Sequence, residues 1–321
     1  MGRRLRRTLS TLGTAAVLVV AYRYVVAPRL GERGIATFAP TITPASNDTP
    51  RIVVWNLENF GDDPARARRA IDAMAELDAG IFALVEIRDG DALRRAFPDR
   101  RVFVSRRGGR GGQHLAFVVD PQRFEMLDPP VEFPDLAMGG RVRPGYAIHV
   151  RALPEGPDLH LALVHLKAMA EGAALRRRQW HVVRKWIDGL RSDGERDLLL
   201  VGDFNPVGGH GRDEAAELAE LARTFADAGL ELHTPPGACS AYWEGPRRDA
   251  WKEPTLLDLV FVGDLGEALP ADGPLVRAAG ACARTGCTRV RSTRARPDPQ
   301  VEGTSDHCPL VVDLRPGDDD P

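Results

Sequence analysis

What this chain lacks narrows the classes open to it. It has no uninterrupted apolar run of the roughly 20 residues a membrane-spanning helix needs; the N-terminal apolar stretch Leu12–Tyr22 ends at Arg23. There is no internal repeat of the roughly 20–50-residue period that marks solenoids and propellers. The four cysteines, Cys239, Cys282, Cys287 and Cys308, lack His partners at ligand spacing, which argues against a zinc site. Charge of one sign is not in excess either: the formal net charge is −2. The first fifty residues hold seven Arg against Glu32 and Asp48, leaving 36 basic and 43 acidic residues beyond them, a net of −7. Any polyanion must therefore be met by local basic patches or by metal ions, not by the overall field.

With 321 residues, 43% of them hydrophobic, the chain is long enough to bury a sizeable core. The start, MGRRLRRTLSTLGTAAVLVVAYRYVVAP, places four Arg before a short apolar run, the layout of a secretory signal. No small-residue cleavage site follows it, so residues 1–27 are expected to be a signal peptide or an N-terminal membrane anchor. The positive flank predicts an exported bulk, either periplasmic, secreted or anchored outside the cytoplasm. Residues 28–50, rich in Pro, Thr and Ser, read as a linker, 51–315 as the folded domain and 316–321 as a disordered tail. Export would permit disulfides: Cys282 and Cys287 in CARTGC could close a small loop, the alternative being four free thiols.

From Arg51 onward, short apolar runs recur: RIVVWNL, IFALVEI, HLAFVVD, YAIHVRAL, LHLALVHL, DLLLVGDF, LLDLVFV and PLVVDL. Continuous runs of this kind fill sheets covered on both faces. Between them, helical spacing predicts helices over Pro64–Leu77, Ala173–Leu190 and Asp213–Ala228. Many strands with a few long helices predict a layered α/β sandwich in one domain.

The polar residues of interest sit at the ends of these runs. Asn56 and Glu58 close the first, Glu86 the second, His165 and Lys167 follow LHLALV, Asp203 and Asn205 end DLLLVGDFN, Asp258 lies within LLDLVFV, and Asp306 with His307 precedes the last run. Each alone reads as a turn or cap residue. Together they suggest one convergent site, because a sheet brings strand ends to a common rim.

WNLENFG, ALVEIRD, VHLKA, VGDFNPV, LLDLVFV and GTSDHCPL, in this order between Arg51 and Arg315, resemble the signature segments of the endonuclease/exonuclease/phosphatase superfamily, the deoxyribonuclease I-like fold. The resemblance implies a four-layer α/β sandwich, two packed, mainly antiparallel sheets with helices outside, that uses a divalent cation to cleave phosphate esters. Such a site must neutralise the phosphate, orient a water and stabilise the departing oxygen. Glu86 and Asp306 would then be the metal ligands, hard oxygens suited to Mg²⁺, with Mn²⁺ or Ca²⁺ as alternatives. Asn56 would support the metal or bind phosphate, and Asn205 would bind the phosphate or the attacking water. Asp203 would polarise that water or act as an acid. His307 would act on the water or bind phosphate, with Asp258 fixing its tautomer. His165 would be the general acid or a phosphate donor, with Gln113 behind it where the deoxyribonuclease branch has a Glu. Glu58 reads as a solvated strand end, and the other six histidines as surface or packing residues.

Three stretches could line a substrate groove: SRRGGRGGQ, SAYWEGPRRDAWKEP and RVRSTRARP. The second, with Arg247, Arg248 and Trp251, leads into Asp258 and is expected at the site rim. Basic side chains among aromatics suit nucleic-acid backbone contacts and base stacking; solvated Arg-rich loops are the alternative. The leading expectation is an exported or membrane-anchored, Mg²⁺-dependent nuclease, an endonuclease in class terms, with nucleic acid as its substrate. A phosphatase or phospholipase C-like hydrolase acting on an inositol phosphate or sphingomyelin is the alternative, and a non-catalytic binding domain a third. No protein partner is inferable.

Overall fold

The computed structural model describes residues 49–194, 197–209, 213–245, 249–293, 297–299 and 301–316. The expected signal or anchor (1–27), nearly all of the linker, and the tail beyond residue 316 lie outside the described residues. Among the described residues no helix is long and apolar enough to cross a membrane.

Two large sheets carry the fold. The first has strand order β14-β16-β1-β2-β4-β3, built from β1 (Arg51–Phe60), β2 (Ile81–Ile87), β3 (Arg101–Val104), β4 (His114–Val119), β14 (Val276–Ala278) and β16 (Leu310–Asp313). The second has order β10-β13-β9-β8-β7-β5, with β6 also on β7. Its members are β5 (Phe124–Met126), β6 (Val131–Phe133), β7 (Gly145–Ala152), β8 (Asp158–His165), β9 (Leu198–Asp203), β10 (Glu231–His233) and β13 (Asp258–Gly263). Pairing is antiparallel except for β1 with β2 in one sheet and β8 with β9 in the other. A third, small sheet joins β11 (Ala241–Trp243), β12 (Trp251–Thr255) and β15 (Val290–Arg291).

Alternation explains the apolar runs. Ile52, Val54, Ala83, Val85 and Phe117 of the first sheet share one core with Ile148, Leu161, Leu163, Val201 and Val260 of the second. The intervening residues of the second sheet, Ala162, Val164, Leu200 and Phe261, pack on Trp180, Val183, Ile187, Leu221 and Phe225 of the outer helices. With apolar side chains needed on both faces, no period-2 pattern survives in these strands.

The helices are α1 (Pro64–Leu77), α2 (Gly90–Ala96), α3 (Ala173–Ser192), α4 (Glu214–Ala226) and α5 (Gly280–Thr285). α1 matches its expected span because its ends are chemically marked: Asp63 accepts from the Ala65 and Arg66 N–H groups, Pro64 fills the first position, and Asp78 stops the helix in a left-handed conformation. It packs on β1. α4 ends two residues before expectation, at Ala226, with Asp227 as its cap. α2 and α5, seven and six residues long, are too short to show a helical period.

The cysteines correct the sequence expectation. All four are paired, as Cys239–Cys287 and Cys282–Cys308. Cys282 sits in α5 and Cys287 just beyond its left-handed Gly286 cap, so the two project to different partners instead of closing the CARTGC loop.

Candidate active site

Strand register assembles the site. His165, the last residue of β8, pairs with Asp203 at the end of β9, and Asp203 pairs with Asp258 at the start of β13. One row across three strands therefore supplies three polar side chains on the edge of an apolar sheet. In the facing sheet Asn56 is level with Val85, after which the β1–β2 register shifts. Glu58, Asn59 and Glu86 all take positive φ there, which releases Glu86 from the pleat. The two parallel pairs thus point their C-terminal ends at the same cleft.

Asp306 and His307 lie in the bend before β16, so neighbours can serve one site without obeying strand alternation. Ser305 Oγ donates to the Asn56 carbonyl at 2.6 Å and accepts from the His307 N–H at 3.0 Å, while Trp55 Nε1 donates to the His307 carbonyl at 2.9 Å. His307 Nδ1 meets Asp258 Oδ2 at 2.7 Å. The Asp258 N–H donates in turn to Ser240 Oγ at 2.8 Å.

Asn56 is the hub. Its Nδ2 lies 3.1 Å from Asp203 Oδ2, and 3.4 Å from both Glu86 Oε1 and His307 Nε2. His165 Nε2 stands 3.4 Å from Asp203 Oδ2 and 3.7 Å from Glu86 Oε1. Asn205, in a left-handed conformation, donates its N–H to Asp203 Oδ1 at 3.0 Å and its side-chain amide to the Leu166 carbonyl at 3.4 Å.

Gln113 departs from expectation. It does not stand behind His165, whose buried Nδ1 has no partner among the described residues. Its Nε2 instead donates to Glu86 Oε2 and to Asn59 Oδ1, each at 2.7 Å, and its Oε1 accepts from Arg143. Gln113 therefore orients a carboxylate rather than an imidazole. Arg143 itself escaped the sequence reading: in GGRVRPG nothing marks it among many other Arg residues. Glu58 also proves more than a solvated strand end, since its Oε2 accepts from the Asp306 N–H at 3.1 Å and pairs with Arg66.

Charge in the cleft is unbalanced. Burial, then the negative charges of Asp258 and Glu86, push Asp203 up to about 7 against the pull of His307. Asp306 is raised by burial and by Glu86. Burial would lower His307, but Asp258, through its charge and hydrogen bond, together with Asp306 and Asp203 carries it well above an ordinary imidazole. His165 goes the other way, pushed well down by burial and by the positive charges of Arg143, His307 and Lys167. Four carboxylates, Glu86, Asp203, Asp258 and Asp306, thus crowd a site where His307 and Arg143 face Asp203 and where Arg66 acts on Asp306, the electrostatic setting of a cation site. Glu86 and Asp306 carry carboxylate oxygens of the kind that could hold one. Asp203, Asp258 and His307 also place ligand atoms within 4.8 Å of one another, but Asp258 and His307 are already engaged with each other.

No family model matches the chain, and no curated protein matches it. Solved structures do. A D. rerio TDP2 complexed with single-strand DNA product superposes with a TM-score of 0.59 at 17% identity, covering 83% of this chain and 99% of that one. The human Nocturnin catalytic domain with bound sulfate gives 0.56 at 15% identity over 86% and 97%. An endonuclease/exonuclease/phosphatase from Bacteroides vulgatus gives 0.54 at 16% identity over 83% and 98%. The fold is that of the endonuclease/exonuclease/phosphatase superfamily. At these identities the likeness is one of fold, and the chemistry has to be read from the residues. On this endonuclease/exonuclease/phosphatase fold, Asn56, Glu86, His165, Asp203, Asp258 and His307 converge, with Asp306 at the mouth. Trp251 stands apart on the small sheet, 39% exposed, and Arg247 and Arg248 lie outside the described residues.

Proposed function

We propose that this chain is a divalent-cation-dependent phosphodiester hydrolase acting on nucleic acid. The observation that carries the reading is the His307–Asp258 pair, fixed at 2.7 Å, with Asn56 linking it to Asp203 and Glu86. Glu86 and Asp306 would hold the cation, Mg²⁺ by ligand type, which when bound would neutralise phosphate charge and stabilise the departing oxygen. Asp203 is the proton acceptor for the attacking water: its proton affinity near neutrality suits it to take that proton as the new P–O bond forms and the ester P–O bond breaks, the departing oxygen taking its proton from solvent. His307, kept charged by Asp258, binds the phosphate as a cation, and Arg143, held by Gln113 beside Glu86, adds a second positive charge. His165 is neutral, so it serves as a hydrogen-bond donor and not as the general acid.

Support for nucleic acid comes from the small sheet. Ala241 of β11 bridges His307, and Ala241 also pairs with Thr255 of β12. Paired residues share a face and alternate residues return to it, so Trp243, Trp251 and Arg291 stand on the same face as the His307 side chain. Both indoles are exposed, about 7 and about 13 Å along the strands from the Ala241–Thr255 pair. Arg289 stacks over Trp251 at 5.3 Å. Aromatic faces beside Arg suit unpaired bases, and the TDP2 structure holds a DNA strand. The domain is exported in this reading: two disulfides favour an oxidising compartment, in keeping with the Arg-led apolar start.

Purified chain is tested with Mg²⁺ on single-stranded and plasmid DNA, RNA, sphingomyelin and inositol phosphates, beside His307→Ala. Cleavage of nucleic acid that chelator abolishes, and that His307→Ala reduces roughly 10²- to 10⁴-fold, is the expected result. Lipid or inositol phosphate hydrolysis alone would overturn the nucleic-acid assignment, and an equally active His307→Ala the site itself.

A further inference from the structure

Arg176 lies in the second turn of α3 with no exposed surface, and Glu217 of α4 is its equally buried partner. A guanidinium has five N–H donors, and here each has an acceptor. Nε and Nη2 donate to Glu217 Oε1 and Oε2 at 2.8 and 2.7 Å. The remaining three go to backbone carbonyls: Nη1 to Lys167 at 2.9 Å and Met169 at 2.7 Å, and Nη2 to Gly208 at 2.7 Å.

Those carbonyls are not scattered. Lys167 and Met169 belong to the loop that leaves β8 directly after His165, and Gly208 to the loop that leaves β9 after Asp203 and Asn205. β8 and β9 are the parallel pair of their sheet, so no hairpin joins these two exits. One turn further along α3, Gln179 Oε1 accepts from the Lys167 N–H at 2.9 Å. Across the gap, Asn205 Nδ2 reaches the Leu166 carbonyl at 3.4 Å.

We propose that Arg176 is a positioning residue: its fork ties the β8 and β9 exit loops to each other and so sets His165 against Asp203 and Asn205, with Glu217 as the counter-ion that keeps the fork oriented. This rests on the hydrolase reading of the cleft. A buried ion pair gains little stability over apolar residues of similar volume, which leaves geometry as its contribution. Lysine cannot replace it, because one ammonium with three donors does not span both carboxylate oxygens and both loops.

Two variants separate positioning from stability. Arg176→Lys keeps the charge opposite Glu217 and loses the carbonyl bonds. The double variant Arg176→Met/Glu217→Met removes the pair in favour of apolar packing. Both are expected to remain folded by circular dichroism, to lose roughly tenfold to a hundredfold in kcat on a Mg²⁺-loaded single-stranded oligonucleotide, and to keep KM within about twofold, the signature of misplaced reacting groups. Hydrogen exchange should show residues 166–169 and 204–208 losing protection together while the bodies of β8 and β9 keep theirs. A folded double variant with wild-type kcat overturns the proposal, as does loosening of one loop alone. Wild-type chain with no hydrolytic activity would refute the functional reading and leave the clamp to be judged on exchange. Even without variants, the wild-type loops must open as one unit in a denaturant series of exchange rates; separate opening free energies overturn the clamp.

Discussion

Asp203 shows how one residue divides stability from function. It is almost wholly buried, sits against Glu86 and Asp258, and is pushed up to about 7 by burial first and those charges next. The unfolded chain ionises this group near 3.8. Between those values the folded chain holds the extra proton, so stability falls as pH rises from about 4 to about 7 and stays lower above. Asp203→Asn removes that penalty and keeps an oxygen for the Asn205 N–H. In chelator at pH 8 the variant should be more stable than wild type by at most about 4 kcal/mol, less about 1 kcal/mol for the bond from Asn56. At pH 4 the two should melt alike, and the variant should not hydrolyse phosphodiesters. Thermal melts at both pH values decide it; a variant no more stable at pH 8 would mean the carboxylate is not under this strain. At this scale the sequence was legible where a residue type sits at a strand end. Asn56, Glu86, Asp203 and His307 stand out so and do lie together, but Gln113 meets another partner than expected because its reach across the cleft depends on the Asn59 and Glu86 backbone turns, and Arg143 gave no signal because a long side chain carries none locally.

The element that sets the site is the β8–β9 pair, and Gly202 is what permits it. It takes φ +129°, and a Cβ there would lie 2.0 Å from the Val164 carbonyl oxygen of the neighbouring strand. Gly202→Ala should therefore cost more than about 4 kcal/mol or prevent folding, since two backbones approach where no side chain fits. Gly189, on the exposed side of α3 with nothing near its would-be Cβ, is the contrast: Gly189→Ala should add about 0.5–1 kcal/mol. Urea unfolding of both gives the test, and a mild Gly202→Ala would show that β8 and β9 can part locally. Elements whose ends are marked or whose length spans several turns were readable, as α1 and α3 were. The pairing order was not, because continuous apolar runs say that a strand is buried on both faces and nothing about which strand lies beside it.

At the scale of the whole molecule, the chain has two kinds of interior. The sandwich cores contain no cysteine, whereas Cys239, Cys282, Cys287 and Cys308 surround Tyr242, Val290 and Val301 in a small cluster beneath the third sheet. Sequence could count the cysteines but not pair them, since the bridges join residues 48 and 26 positions apart. Each such closure stabilises by about 3–4 kcal/mol. Both are wired to the dyad: Cys308 follows His307, and Cys239 precedes Ser240, whose hydroxyl holds the Leu257 and Asp258 N–H groups and whose carbonyl accepts from the Cys308 N–H at 2.7 Å. Reduction should thus act unevenly. With a thiol reductant in mild urea, β11, β12 and β15 should gain hydrogen exchange, and hydrolysis should fall, while exchange in β1, β8 and β9 stays slow. The oxidised chain should show one transition for both regions. If reduction shifts both regions equally, or leaves hydrolysis unchanged while the small sheet opens, then the dyad is held by the sandwich alone and the disulfides serve only the cluster around them.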